Sequence, residues 1–264
     1  MTKGSSRTVA GIGRVVLWGG GSLWIGHSAG TVQAHSHHAI QISLALSGRL
    51  KLRNDGGAWS EYLAAMVHPH HRHQFDGCGE AVAQLFVEPE TVQGRALLAA
   101  YPRGGIERLA DDIVAPVIAA LLRAHEMHVA DELLIATGRS AIAALAGDLP
   151  RSADVDPRVV RVIEWLRSRR GAPVTLAEVA RVVHLSPSRF RHLFMAQTGI
   201  SLRAYLLWMR IGSAIASAMG GMSWTDAAQE WGFADSAHLS RTCRRMFGIA
   251  PTMLLRDDGG RAQH

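Results

Sequence analysis

Histidine is concentrated in two short stretches of the first half of the chain, residues 30–48 and residues 67–75. His35 and His37 stand two apart, so on an extended strand both rings face the same way. Gln41 follows His37 by four residues, and His73 comes five after His68, beyond Pro69. Imidazole nitrogens suit Zn, Ni, Cu or Fe(II), and three imidazoles with an amide make an open site. The amide brings no charge, so Gln41 neutralises a divalent ion less well than a carboxylate would. The same four residues equally fit a metal-free pocket, in which the rings hydrogen-bond an organic effector or one another. His68, His70 and His71 read as an exposed loop without a common facing. His125 and His128 are one helical turn apart, a spacing at which they can pair, but they read as a solvated face. Cys78 lies in a polar loop near the histidines, read as a bystander to them. Trp18, Trp24 and Trp59 serve either as pocket walls or as core.

The elements that must position these residues read as β. Short apolar runs bounded by glycine occupy residues 15–18, 23–25, 40–46, 50–52 and 81–87, with alternation clearest in Gln41-Ile42-Ser43-Leu44-Ala45-Leu46. Many short strands with Gly-rich turns predict a small barrel or jelly roll over residues 1–100. Residues 107–148 change to helical spacing and predict two helices within a connector of residues 101–150, which could carry dimer contacts. Residues 151–157, polar and proline-bounded, are expected to be a linker to a domain over residues 158–256.

That last domain holds one pattern twice. Residues 176–183 form a short helix, His184-Leu185-Ser186 a turn, and residues 187–197 a second helix closed by Gly199. Residues 224–231, Gly232-Phe233 and residues 235–247 repeat it, closed by Gly248. Ser186 before Pro187 is an N-cap with proline at the first helical position. Gly199 and Gly248 fit the left-handed residue that ends a helix. Ala180 and Ala228 leave room for two helices to cross. These are two helix-turn-helix units, joined by a long helix over residues 202–219.

With Phe190, Leu193 and Phe194 inward, the first unit turns out Ser188, Arg191, His192 and Met195. With Leu239, Cys243 and Phe247 inward, the second turns out Ser236, Ala237, Ser240 and Arg241. An arginine facing out at such a position can bond guanine O6 and N7 as a fork. Arg189, Arg203, Arg210, Arg244 and Arg245 are assigned to phosphate or solvent.

The stretch "GFADSAHLSRTCRRMFGIAP", and with it roughly the last hundred residues, resembles the DNA-binding domain of the AraC/XylS family of transcription regulators. Cys243 departs from the Phe usual there. The resemblance implies Ser188, Arg191, His192, Ser236, Ala237 and Arg241 as base-reading positions, with RNA polymerase as a further partner. "GTVQAHSHHAIQISLALSG" is similar to a first cupin motif, with Gln41 where metal-binding cupins place Glu; the second motif is matched only loosely, around His73.

Charge follows the same division. Residues 157–264 hold 15 Arg and Lys against 7 Asp and Glu, while the rest of the chain holds 13 against 15. A basic half joined to a slightly acidic one predicts a DNA-binding module fused to a module of another kind. Composition is that of a folded protein, not a disordered one. No run of eighteen apolar residues predicts a membrane span, glycines interrupt any signal-peptide pattern, and two separated cysteines fit a reducing cytoplasm. The expectation is an α+β, non-enzymatic regulator of double-stranded operator DNA. It is expected to be a homodimer controlled by a small molecule or metal in the barrel. The alternatives are a cupin-type metal enzyme with a DNA-binding appendage, and a regulator without ligand.

Overall fold

The computed structural model describes residues 11–147, 155–169 and 171–257. Strands β1 (Gly11–Trp18), β2 (Gly21–His27), β3 (Ile40–Ala45), β4 (Leu50–Asn54), β5 (Ser60–Tyr62), β6 (Ala64–Val67), β7 (His73–Asp76) and β8 (Ala81–Val87) lead. Helix α1 (Val92–Ala100), strand β9 (Ile106–Arg108) and helices α2 (Asp111–Glu126) and α3 (Asp131–Ala146) follow. One sheet, which takes in a last strand β10 (Leu254–Arg256), has the order β10-β1-β2-β8-β3-β6-β9, and a smaller one the order β5-β4-β7. The α+β expectation holds, with the N-terminal part rich in sheet.

Strand β3 shows how the barrel is built. All six of its residues are buried, although half of them are small or polar. Ile40, Ile42 and Leu44 pack in one core with Leu121, Leu134 and Ile142 of α2 and α3. Ala45 belongs to a second core with Leu50, Leu52, Phe75 and Phe86. The alternation therefore separates a helix-covered face from the barrel interior, and Gln41 and Ser43 point inward rather than to water.

The C-terminal part is helical: α4 (Pro157–Ser168), α5 (Leu176–Val182), α6 (Pro187–Thr198), α7 (Leu202–Met219), α8 (Trp224–Glu230) and α9 (Ser236–Phe247). Residues 151–154 of the expected linker lie outside the described residues, as does the tail beyond Asp257. Pro157 already stands at the first position of α4, capped by Asp156. The first helix-turn-helix unit has its own core, around Val162, Val179, Phe190, Phe194 and Tyr205. The second shares one with the barrel: Ile211, Ala228, Leu239, Cys243 and Phe247 pack into the cluster that includes Phe75, Val82 and Phe86. Beyond α9, a single 3-10 turn leads to β10 (Leu254–Arg256), which pairs parallel with β1. The chain thus returns from its helical part to the first sheet. Helix α1 lies inside the span read from sequence as wholly β, and neither β9 nor β10 was expected.

Candidate effector site and DNA-facing surface

His35 and His37 do not sit within a strand, as their spacing suggested. They lie on an extended segment just before β3, and His35 exchanges two backbone hydrogen bonds with His73 of β7, each 3.0 Å. This pairing brings the second histidine stretch onto the first. The candidate ligand nitrogens of His35, His37 and His73 all lie within 4.8 Å of one another. His35, His37, Gln41 and His73 are 3%, 4%, 3% and 0% exposed, so the cluster is sealed from bulk water. Cys78 is exposed and takes no part in it.

Each ring is held in the same way. Nδ1 of His35 lies 2.8 Å from the Gln33 carbonyl, that of His37 2.9 Å from Ala39, and that of His73 2.9 Å from His71. A carbonyl can only accept, so each Nδ1 carries the proton and each Nε2 presents a lone pair to the cluster. Gln41 Oε1 then faces Nε2 of His37 at 2.9 Å and Nε2 of His73 at 3.2 Å. Acceptors meet there with no proton between them. Burial keeps the rings from supplying one: it lowers the pKa of His35 to about 4, of His37 to about 3 and of His73 to about 2, the neighbouring rings adding to the effect in the last two. Gln41 Nε2 donates to Ser43 Oγ at 3.0 Å, and Ser43 donates onward to Gln84 at 2.7 Å. Turning the Gln41 amide over would also remove the conflict, with this relay running the other way, since a hydroxyl and an amide each serve in both senses. A cation among the lone pairs resolves it with every group left as it stands, and three imidazole nitrogens within 4.8 Å of one another fit a nitrogen-ligated metal in number and burial.

A cavity of about 110 Å³ adjoins the cluster, touching His35 and Gln41 and walled mainly by Trp24, Val32, Phe75, Phe86 and Phe247. Its walls come from both parts of the chain, since Met219, Phe247, Ile249 and Leu254 belong to the C-terminal part. Trp24 thus serves as pocket wall. Trp18 packs on the first core, and Trp59 lies outside beneath the Arg53 guanidinium, 4.5 Å from it.

Sequence reading missed a second buried polar group. Glu88 accepts from Arg167 of α4 at 2.6 Å and from the Tyr205 hydroxyl of α7 at 2.9 Å. Glu90 pairs with His38 at 2.9 Å, and all of these except Arg167 are buried. Burial, then repulsion from Glu90, raises the Glu88 carboxyl while Arg167 pulls it back down. These partners lie 52 to 117 residues apart, so no local pattern announces them.

On the helical part, Ser188, Arg191, His192 and Met195 are exposed on α6, and Ser236, Ala237 and Arg241 on α9, with Ser240 half-buried. Phe190 and Phe194, and Leu239, Cys243 and Phe247, are buried beneath them. Burial pushes the Cys243 thiol up to about 12, which leaves it an inert core residue. Arg189, Arg203, Arg244 and Arg245 are exposed, whereas Arg210 is half-buried against Gly232 with its Nε enclosed.

A helix-turn-helix domain model matches residues 179–257. The chain carries an AraC-type helix-turn-helix domain. It is 31% identical over 141 residues to the transcriptional activator NphR of Rhodococcus sp, covering 53% of this chain and 41% of NphR. It is 28% identical over 91 residues to the uncharacterized HTH-type transcriptional regulator YpdC of Escherichia coli (strain K12), covering 34% of this chain and 32% of YpdC. The match therefore spans less than half the length of these relatives. Among solved structures, ToxT from Vibrio cholerae O395 aligns over 88% of this chain and 95% of its own, with a TM-score of 0.55 and 14% identity. Wild-type ToxT bound to an unsaturated fatty acid aligns over 88% of this chain and 92% of its own, with a TM-score of 0.51 and 14% identity. These likenesses show that the fold extends over the barrel as well as the AraC-type domain.

Proposed function

We propose that the chain is a transcription regulator that binds double-stranded operator DNA and is controlled by a small effector, organic or metallic, held in the N-terminal barrel. The observation that carries this reading is the shared cavity. Phe247 ends the second recognition helix and at the same time forms a wall of the cavity beside His35 and Gln41. An occupant there touches the barrel and α9 together, so it has different contacts in different domain arrangements, which is what an effector needs to shift their population. That ToxT has been solved with a fatty acid supports a ligand in this fold.

Arg191 and Arg241 are assigned to base reading with Ser188, His192, Ser236, Ala237 and Ser240, and Arg189, Arg203, Arg244 and Arg245 to phosphate. RNA polymerase contact, homodimerisation through α2 and α3, and a cytoplasmic setting belong to the same proposal. The test is operator selection from random DNA followed by binding measurements. Arg191→Ala should cost about 1–3 kcal/mol on the selected site and relax one base position. Arg189→Ala should weaken all sequences alike and reduce the salt slope by about one. Equal losses on all sequences for both variants would remove Arg191 from the base-reading set.

A further inference from the structure

Resting on the reading of the barrel as effector site, we infer that the effector is a pair: a divalent transition metal on His35, His37 and His73, and a small apolar-bodied carboxylic acid beside it in the cavity. Three features lead there. First, lone pairs of Gln41 Oε1 and of the His37 and His73 Nε2 atoms face one another at 2.9 and 3.2 Å. An electrophile among them satisfies all three at once, the three imidazoles converge within 4.8 Å, and all three Nδ1 atoms are already committed to carbonyls.

Second, the donors are neutral. Imidazole and amide ligands leave a doubly charged ion with its whole charge, at a site no more than 4% exposed. Burying such a charge uncompensated costs several kcal/mol. Among the described residues, no aspartate or glutamate lines the adjoining cavity. The nearby buried acids are committed elsewhere, Glu88 to Arg167 and Tyr205, and Glu90 to His38. The missing negative charge must therefore arrive with a ligand.

Third, the space that opens from His35 and Gln41 is small and apolar. Its volume, about 110 Å³, is of the same order as the ~150 Å³ cavity that holds one benzene. The walls named above favour a ring or a short chain over a sugar or a nucleotide. A carboxylate on such a body neutralises the ion and buries its apolar part against Trp24, Phe86 and Phe247.

The experiment is Co(II) binding to the full-length, tag-free protein by equilibrium dialysis, alone and with acetate, hexanoate or benzoate, each beside its neutral amide. Binding at one Co(II) per chain should be about tenfold or more tighter with hexanoate or benzoate than alone. Hexanamide and benzamide should have no such effect. Gln41→Glu supplies the charge from the protein, so it should bind Co(II) about tenfold or more tighter without any acid, and gain nothing further from one. His35→Ala/His37→Ala should bind no Co(II), with its circular dichroism and DNA binding checked for an intact fold.

Tight Co(II) binding by the wild type alone overturns the inference, as does equal enhancement by acid and amide, no enhancement by any acid, or no gain in Gln41→Glu. The broader reading fails separately. If Co(II) with an acid binds as expected and DNA affinity does not change, the paired site stands and the regulatory role falls. If a neutral molecule stabilises the metal-free protein and alters DNA binding, the role stands and the paired site falls.

Discussion

His184 has φ 53° in the turn between α5 and α6, the place that Gly232, at φ 73°, takes between α8 and α9. The hydrogen bonds across the two turns correspond, Leu185 N to Ala180 O at 3.0 Å and Phe233 N to Ala228 O at 2.8 Å. The first unit thus places an ordinary side chain where the second has glycine. Because His184 is exposed, His184→Gly should leave stability within about 1 kcal/mol of wild type, while His184→Val should lose about 1–2 kcal/mol. Urea denaturation midpoints decide this, and an unchanged Val variant would show that the turn relaxes. The barrel histidines make a second prediction at this scale. In the metal-free protein their folded pKa values, about 4, 3 and 2, lie below the unfolded value of 6.5. Above pH 6.5 all are neutral in both states and stability is full. As pH falls, the unfolded chain takes up protons that the folded one refuses, so each ring removes up to about 1.4 kcal/mol per pH unit until its folded pKa is reached. Thermal melting of metal-free protein should therefore decline steadily from pH 6.5 towards 4, and His37→Asn should flatten that decline.

Gly199 and Gly248 end α6 and α9 with the same left-handed residue, φ 75° and φ 69°, yet their surroundings differ. A Cβ on Gly199 would meet nothing within 4 Å, whereas on Gly248 it would lie 2.2 Å from the Gln33 carbonyl oxygen and 2.9 Å from His35 Nδ1. The Gln33 amide also donates to the Gly248 carbonyl at 3.2 Å. Gly199→Ala should cost only the left-handed φ, about 1 kcal/mol. Gly248→Ala should cost more and push α9 away from the histidine segment, visible as a larger loss in denaturation and as weaker Co(II) binding. Equal losses would mean that the contact yields freely. The pair also shows what the sequence could and could not convey. Both glycines are legible as helix stops, because a cap is a local event. That one of them abuts the histidine segment more than two hundred residues earlier is tertiary information. For the same reason α2 to α9 and the longer strands were readable, whereas α1 and the three-residue strands β9 and β10 were not: the two short strands exist through partners elsewhere in the chain. The histidine group was half readable. Spacing joined His35 to His37 and the loose second cupin motif pointed to His73, but it is the pairing of His35 with β7 that places His73 beside them, and His38 with Glu90 had no local signal.

At the scale of the whole molecule, the junctions between the barrel and the helical part include three of note: the core around Phe247, the β1–β10 pairing, and the Glu88 group. The third differs in kind, because it is polar and buried. Glu88 is held by one residue from α4 and one from α7, both outside the barrel. Removing Arg167 leaves the carboxylate facing Glu90 with only Tyr205 as donor. A fully buried pair broken in this way costs about 3–5 kcal/mol, but the Arg167 side chain is 33% exposed and water reaches it, so about 1–3 kcal/mol is expected here. The loss should come mainly from the unpaired acid, so Arg167→Ala/Glu88→Gln should recover most of it, a coupling that a double-mutant cycle measures. Neither residue is among those assigned above to DNA. If the junction holds one domain arrangement, Arg167→Ala should nevertheless shift operator affinity and its response to effector, and Glu88→Gln should restore both. A variant that loses stability yet binds operator as the wild type does would confine the Glu88 group to holding the fold together and leave the Phe247 cavity as the route from barrel to DNA.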